Sequence, residues 1–120
     1  MVCIIEDTDE FNKKITENKS KLIVIDFYTD WCQPCKNIAP DFEKLSEYYK
    51  DNVIFLKIDV DNNNCDKICQ KFEVSSMPTF IFLLNYRYMV NYRIEGADID
   101  QINKNIQQLL LVMNNQDNKQ

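Results

Sequence analysis

Leu22-Ile23-Val24-Ile25-Asp26-Phe27-Tyr28-Thr29-Asp30-Trp31-Cys32-Gln33-Pro34-Cys35-Lys36 is the stretch around which the rest of the chain is organised. From Leu22 to Tyr28 it is apolar on both faces apart from Asp26, as a central strand of a sheet covered on two sides should be. Two cysteines then sit at a strand-to-helix turn, and an amphipathic stretch continues to about Tyr49. With two residues between them, both sulfurs fall within one helical turn and can cycle between a dithiol and a small disulfide ring. The same spacing suits one half of a zinc site, so the pair alone leaves a redox and a metal reading open.

Working outward, Val2-Cys3-Ile4-Ile5 reads as a short first strand, with Cys3 in the core. Thr8 or Asp9 is the expected cap of a helix that carries Phe11 and Ile15 at helical spacing. After the cysteine pair, Ile38, Phe42, Leu45 and Tyr49 fall on one helix face, and Pro40 inside that helix predicts a kink. Val53 to Val60 reads as the next buried strand, Asp61 to Asn64 as a polar loop, and Cys65, Ile68 and Phe72 as the inner stripe of a short helix. Thr79 to Leu84 and Met89 to Ile94 read as a hairpin joined by Asn85 to Tyr88. Asp98 then caps a last helix through Ile99, Ile102, Ile106, Leu109 and Leu110 that ends near Met113. Residues 114–120 hold no apolar side chain and read as a polar, disordered tail. The predicted order is β-α-β-α-β-α-β-β-α, an α/β domain spanning residues 1–113 with a mixed sheet between helices.

Composition narrows the function classes. At 120 residues the chain is one domain, and its 45% hydrophobic and 28% charged content is that of a globular protein. A net charge of −5 with no basic stripe argues against nucleic acid as a partner. The apolar runs are of strand length, far below the roughly 20 residues that span a bilayer, which argues against a membrane span. Glu6, Asp7, Asp9 and Glu10 interrupt the start where a signal segment would be apolar, so the expected setting is a reducing, cytoplasmic one. Five cysteines is an odd number, which fits reduced thiols with one reactive pair better than a framework of disulfide staples.

The order of elements, together with Phe27-Tyr28-Thr29-Asp30-Trp31-Cys32-Gln33-Pro34-Cys35-Lys36, resembles the thioredoxin family over nearly the whole chain. Asp26 falls where that family has its buried carboxylate, and Lys57 where it has the lysine beside it. Met77-Pro78-Thr79-Phe80 is similar to its cis-proline loop, Pro40 to its helix kink, and Gly96-Ala97 to its last substrate-facing loop. The chain departs from the family pattern at Gln33, usually Gly, at Thr29, usually small and apolar, and in the hairpin Asn85-Tyr86-Arg87-Tyr88, which lacks a Gly.

Each site residue then has a physical rationale. Cys32, just before a helix start, faces unpaired backbone N–H groups and the positive end of the dipole, which favour its thiolate and make it the expected nucleophile. A free cysteine with a pKa of about 8.5 is only about 3% thiolate at pH 7, so such a bias matters. Cys35 is the expected resolving thiol. Asp26 interrupts an apolar run, where burial should raise its pKa, and the resemblance places it behind Cys35 as a proton-transfer group. Lys57, also inside an apolar run, is positioned to tune it by charge. Trp31, Gln33, Pro34, Met77, Pro78, Gly96 and Ala97 are the expected substrate contacts, with the Met77 backbone pairing to the substrate as an added strand.

No histidine is present, so only Cys65 and Cys69 could complete a zinc site, and their spacing on a helix fits small core residues better. The resemblance implies a thiol–disulfide oxidoreductase with no bound cofactor. Its electrons would come from NADPH through thioredoxin reductase, its clients would be disulfide-containing proteins such as peroxiredoxin or ribonucleotide reductase, and it would act as a monomer. A glutaredoxin-like or disulfide-isomerase-like enzyme on the same fold is the alternative, and a structural or metal-binding module a further one.

Overall fold

A computed structural model describes the backbone of residues 1–118 and the side chains of residues 1–115. The elements are β1 (Cys3–Ile4), α1 (Thr8–Glu17), β2 (Leu22–Tyr28), α2 (Gln33–Tyr48), β3 (Val53–Asp59), a 3-10 turn (Asn63–Cys65) and α3 (Asp66–Lys71). They continue with β4 (Thr79–Leu84), β5 (Arg87–Tyr88), a second 3-10 turn (Val90–Tyr92), β6 (Ile94–Glu95) and α4 (Ile99–Asn118). The strands form one mixed sheet in the order β1-β3-β2-β4-β5, with β6 also paired to β4.

β2 is central because both of its edges are used. It runs parallel to β3, from Leu22 opposite Val53 to Tyr28 opposite Asp59, and antiparallel to β4. Alternation along the strands then divides the core in two. Leu22 and Val24, with Phe55, Phe80 and Phe82, face α2 and α4, which contribute Ile38, Phe42, Ile102 and Ile106. Ile23, Ile25 and Phe27 face the opposite way, onto Phe11 of α1, Ile68 of α3 and Phe72, which caps the end of α3. The Phe42 ring lies 5.2 Å from that of Phe55 and 5.5 Å from that of Phe80, which locks α2 over the sheet. Removing such a ring from water is worth about 1.5–3 kcal/mol. By the same alternation, Asp26 and Tyr28 on β2 and Lys57 on β3 lie on the α2 side, at the strand ends where α2 begins.

Four expectations need correction. The cap of α1 is Asp7, not Thr8 or Asp9, because the Asp7 Oδ1 accepts the Glu10 N–H at 2.8 Å. The single strand expected at Met89 to Ile94 is instead split into β5 and β6 around a 3-10 turn. Asn85 and Tyr86 both take positive φ, 51° and 67°, so the hairpin closes in two residues and pairing resumes at once with Arg87 opposite Leu84. Finally, α4 does not stop near Met113: residues 114–118, expected as tail, continue the helix. No Gly or Pro stands there to end it, and each added residue gains a backbone bond without a new nucleation cost. Residues 119 and 120 of that expected tail lie outside the described residues. Cys3, expected in the core, is half-buried and packs against the α1/α3 side.

Candidate active site

The turn after β2 delivers Cys32 to the start of α2. The Cys32 N–H donates to the Thr29 carbonyl at 3.3 Å, and Cys32 is the N-cap of α2, its Sγ accepting the Cys35 N–H at 3.3 Å. Pro34 occupies the first turn, where a missing N–H costs nothing. Cys32 and Cys35 are joined as a disulfide with their Cα atoms 5.3 Å apart, and both are buried beneath a rim of exposed Trp31, Gln33 and Pro34. Pro40 lies inside α2, where it leaves the Lys36 carbonyl without its usual donor.

Trp31 is 69% exposed, yet it is held: its Nε1 donates to Asp61 Oδ2 at 2.8 Å. Asp61 is in turn placed by its own N–H, which donates to Asp59 Oδ1 at 2.9 Å. Gln33 does not reach over the disulfide; its amide donates along the helix surface to Asn37 at 2.8 Å.

The opposite wall comes from the segment before β4. The Met77-Pro78 peptide bond is cis, and the Met77 carbonyl oxygen lies 3.7 Å from Cys32 Sγ. A disulfide sulfur carries no proton, so this is a contact in the oxidised protein that a reduced thiol could turn into a hydrogen bond. Gly96, at φ +120°, brings its N–H to the Pro78 carbonyl at 2.9 Å, with exposed Ala97 beside it. That φ is one which residues with a Cβ rarely adopt.

Asp26, 1% exposed, lies on the α2 face of the sheet, opposite Lys57 on β3 and Phe80 on β4. Among the described residues neither of its carboxyl oxygens has a hydrogen-bond partner, nor does the buried Thr29 hydroxyl. Burial pushes the Asp26 carboxyl from its ordinary 3.8 up to about 7, while the charge of Lys57 pulls the other way. Lys57 forms no ion pair with Asp26; its Nζ sits 4.3 Å from the centre of the Tyr28 ring.

Cys65 and Cys69 are on the other side of the sheet, buried with α1 and α3. Cys65 Sγ lies 3.6 Å from the Ile5 carbonyl, and burial pushes both thiols up, that of Cys69 to about 11. Among the described residues no group of three or more His, Cys, Asp or Glu side chains is placed to hold a metal ion.

The fold thus joins Cys32 and Cys35 under exposed Trp31, Gln33 and Pro34, sets the Met77 carbonyl against Cys32 Sγ with Gly96 bonded to Pro78, and leaves Asp26 and Lys57 on the α2 face of the sheet. Sequence reading missed Asp61 and Tyr28. Asp61 looked like any residue of a polar loop, and nothing in the sequence signals a bond to an indole 30 positions away.

The chain matches the family model Thioredoxin over residues 2–108. It is 38% identical to a human thioredoxin over 110 residues, which are 92% of this chain and all of that one. It is 46% identical to a thioredoxin of Coprinus comatus over 81 residues, 67% of this chain and 73% of that one. Thioredoxin-T of Drosophila melanogaster is longer; the matched 83 residues, 43% identical, are 69% of this chain and 52% of that one. Among solved structures, thioredoxin of Fasciola hepatica superposes with a TM-score of 0.81 at 36% identity, covering 88% of this chain and 97% of that one. Thioredoxin of Plasmodium falciparum gives 0.78 at 32% identity over 88% and 97%.

Proposed function

The chain belongs to the thioredoxin family of protein disulfide oxidoreductases, with Cys32 and Cys35 as its redox-active pair, and from that premise we propose that Cys32 is the nucleophile and Cys35 the resolving thiol. In the reduced protein the Cys32 thiolate attacks one sulfur of a substrate disulfide. That S–S bond breaks, a mixed disulfide forms, and the released substrate thiolate takes up a proton. Cys35 then gives up its proton and attacks Cys32 Sγ, releasing the second substrate thiol and closing the Cys32–Cys35 disulfide. Two electrons and two protons have passed to the substrate.

The observation that carries this reading is the position of Cys32 Sγ. It accepts the Cys35 N–H at the head of a 16-residue helix, where a thiolate would be solvated by backbone N–H groups and the helix dipole. Asp26, with its carboxyl raised to about 7, is suited to take the Cys35 proton at neutral pH, and Lys57 to set that balance. Trp31, Gln33, Pro34, Pro78, Gly96 and Ala97 would contact the substrate, and the Met77 main chain would pair with an extended substrate segment. The proposed recharging partner is a flavin- and NADPH-dependent thioredoxin reductase, and the proposed clients are proteins such as peroxiredoxin or ribonucleotide reductase. The protein would act as a monomer in a cytoplasmic, reducing setting, which suits three thiols left free.

NADPH-coupled reduction of insulin tests the roles directly. Wild type should turn over, Cys32→Ser should be inactive, and Cys35→Ser should accumulate a mixed disulfide through Cys32. Trapping through Cys35 in the Cys32→Ser protein instead would reverse the assignment.

A further inference from the structure

Arg93 stands just before β6, and only 17% of its side chain is exposed. Its guanidinium is shared among four acceptors. Nη1 donates to the Phe72 carbonyl at 2.5 Å and to the Tyr88 hydroxyl at 3.1 Å, Nη2 to the Glu73 carbonyl at 3.2 Å, and Nε to Glu95 Oε2 at 3.2 Å. Phe72 is the C-cap of α3 and Glu73 follows it at φ 52°, so Arg93 holds the carbonyls with which that helix ends. Three residues after Glu73 comes Ser76, whose hydroxyl donates to the other oxygen of Glu95 at 3.5 Å and whose carbonyl accepts the Thr79 hydroxyl at 2.6 Å. Met77 is next, with its carbonyl 3.7 Å from Cys32 Sγ.

We propose that Arg93 is a positioning residue for disulfide reduction: by tying the end of α3 to β6 it fixes the Ser76-Met77 main chain against Cys32 Sγ, so that an extended substrate segment meets both at once. The proposal rests on the reading of Met77 as the substrate-pairing edge. Arg suits the task because its planar fork presents five donors in fixed directions, and charge-assisted bonds of this kind are roughly twice as strong as neutral ones. A lysine at 93 offers a single point charge and cannot bridge the helix end and Glu95 together. Without the bridge, segment 73–76 keeps the Glu73 and Val74 N–H bonds back to the Gln70 and Cys69 carbonyls and the Ser76 bonds, but its charged tie to the β6 side through Arg93 is gone, and the Met77 carbonyl loses its register with the sulfur.

Stopped-flow rates of the fully reduced protein with three disulfides decide the matter. The probes are a mixed disulfide of an extended peptide, the same peptide N-methylated at the amides flanking its cysteine, and the small aromatic disulfide 5,5′-dithiobis(2-nitrobenzoate). Wild type should prefer the parent peptide to its N-methyl analogue. In Arg93→Met that preference should vanish, and the ratio of parent-peptide rate to small-disulfide rate should fall about 10-fold, since small misplacements of a reacting pair cost at least that much. Arg93→Lys should recover only part of the ratio. If Arg93→Met fails to fold, Glu95→Gln, which leaves both carbonyl bonds of Arg93 in place, should lower the same ratio. Undiminished discrimination in a folded Arg93→Met, or an equal fall with all three probes, overturns the proposal. A wild type that treats the two peptides alike overturns the Met77 reading and the proposal with it, and is told apart because it precedes any mutation.

Discussion

Replacing Asp26 by Asn should change how stability depends on pH, and by an amount the structure fixes. In the folded protein the carboxyl holds its proton to about pH 7, whereas in the unfolded chain it ionises near 3.8. Between those values the folded state binds more protons than the unfolded one, so stability falls as pH rises through the window, the reverse of the usual salt-bridged aspartate. A rise from 3.8 to about 7, at about 1.4 kcal/mol per pH unit, amounts to about 4 kcal/mol by pH 8. The side chain is 1% exposed, so solvent does not screen this away. The asparagine side chain has nearly the same shape and does not titrate; whatever its amide costs in the core is constant with pH. The difference in unfolding free energy, Asp26→Asn minus wild type, should therefore grow by about 4 kcal/mol from pH 4 to pH 8, against a total of about 5–15 kcal/mol for a domain. Urea unfolding of the oxidised proteins, followed by far-UV circular dichroism, measures it, and all other titrating groups cancel in the difference. A difference that stays flat within 1 kcal/mol would refute the reasoning, as would a carboxyl 13C midpoint near 4.

Two further outcomes follow from the same neighbourhood. Lys57→Met removes the one charge that holds the Asp26 carboxyl down, so its 13C midpoint should move upward and the falling limb of the stability curve should extend to higher pH; an unmoved or lowered midpoint would contradict the assignment. Asp61→Ala removes the acceptor of the Trp31 indole, so the fluorescence anisotropy of the only tryptophan should drop, while stability changes by less than about 1 kcal/mol at so exposed a site; unchanged anisotropy would mean that packing alone holds the ring.

What the sequence made legible was whatever a periodic pattern or a misfit could carry. β2 could be read to the residue because a seven-residue apolar run has one structural use, and Asp26 was visible because it spoils that run. Asp98 was legible as the cap of α4, and it does accept the Gln101 N–H at 3.0 Å. The end of α4 was not, since polar residues without Gly or Pro neither stop a helix nor announce one. The hairpin was misread because its turn uses Tyr86 at positive φ, a place where the sequence signal is normally Gly. In the site, spacing revealed Cys32 and Cys35, but spacing says nothing about Trp31 finding Asp61 or Arg93 finding the end of α3, 20 positions before it. Such contacts belong to the topology, which brings distant loops to one end of the sheet.

The placement of Lys57 shows why that topology matters to the chemistry. Asp26 and Lys57 are directly opposed on neighbouring strands, and from sequence the natural expectation is a pair. A unit charge 4 Å from a carboxylate at an effective dielectric near 20 is worth about 4 kcal/mol, or about three pH units, enough to return the carboxyl to its ordinary range. Lys57 makes no such close pair with Asp26, its charge acts more weakly than at that range, and burial wins. The Tyr28 ring, which takes the ammonium at 4.3 Å, gives Lys57 an alternative place to rest on the same face of the sheet. A cation–π contact worth about 1 kcal/mol is modest, but an ion pair at this site would first have to desolvate the lysine as well. The carboxyl therefore stays near neutrality through a balance of burial against a cation kept at one remove, and a residue that touches neither sulfur takes part in setting it.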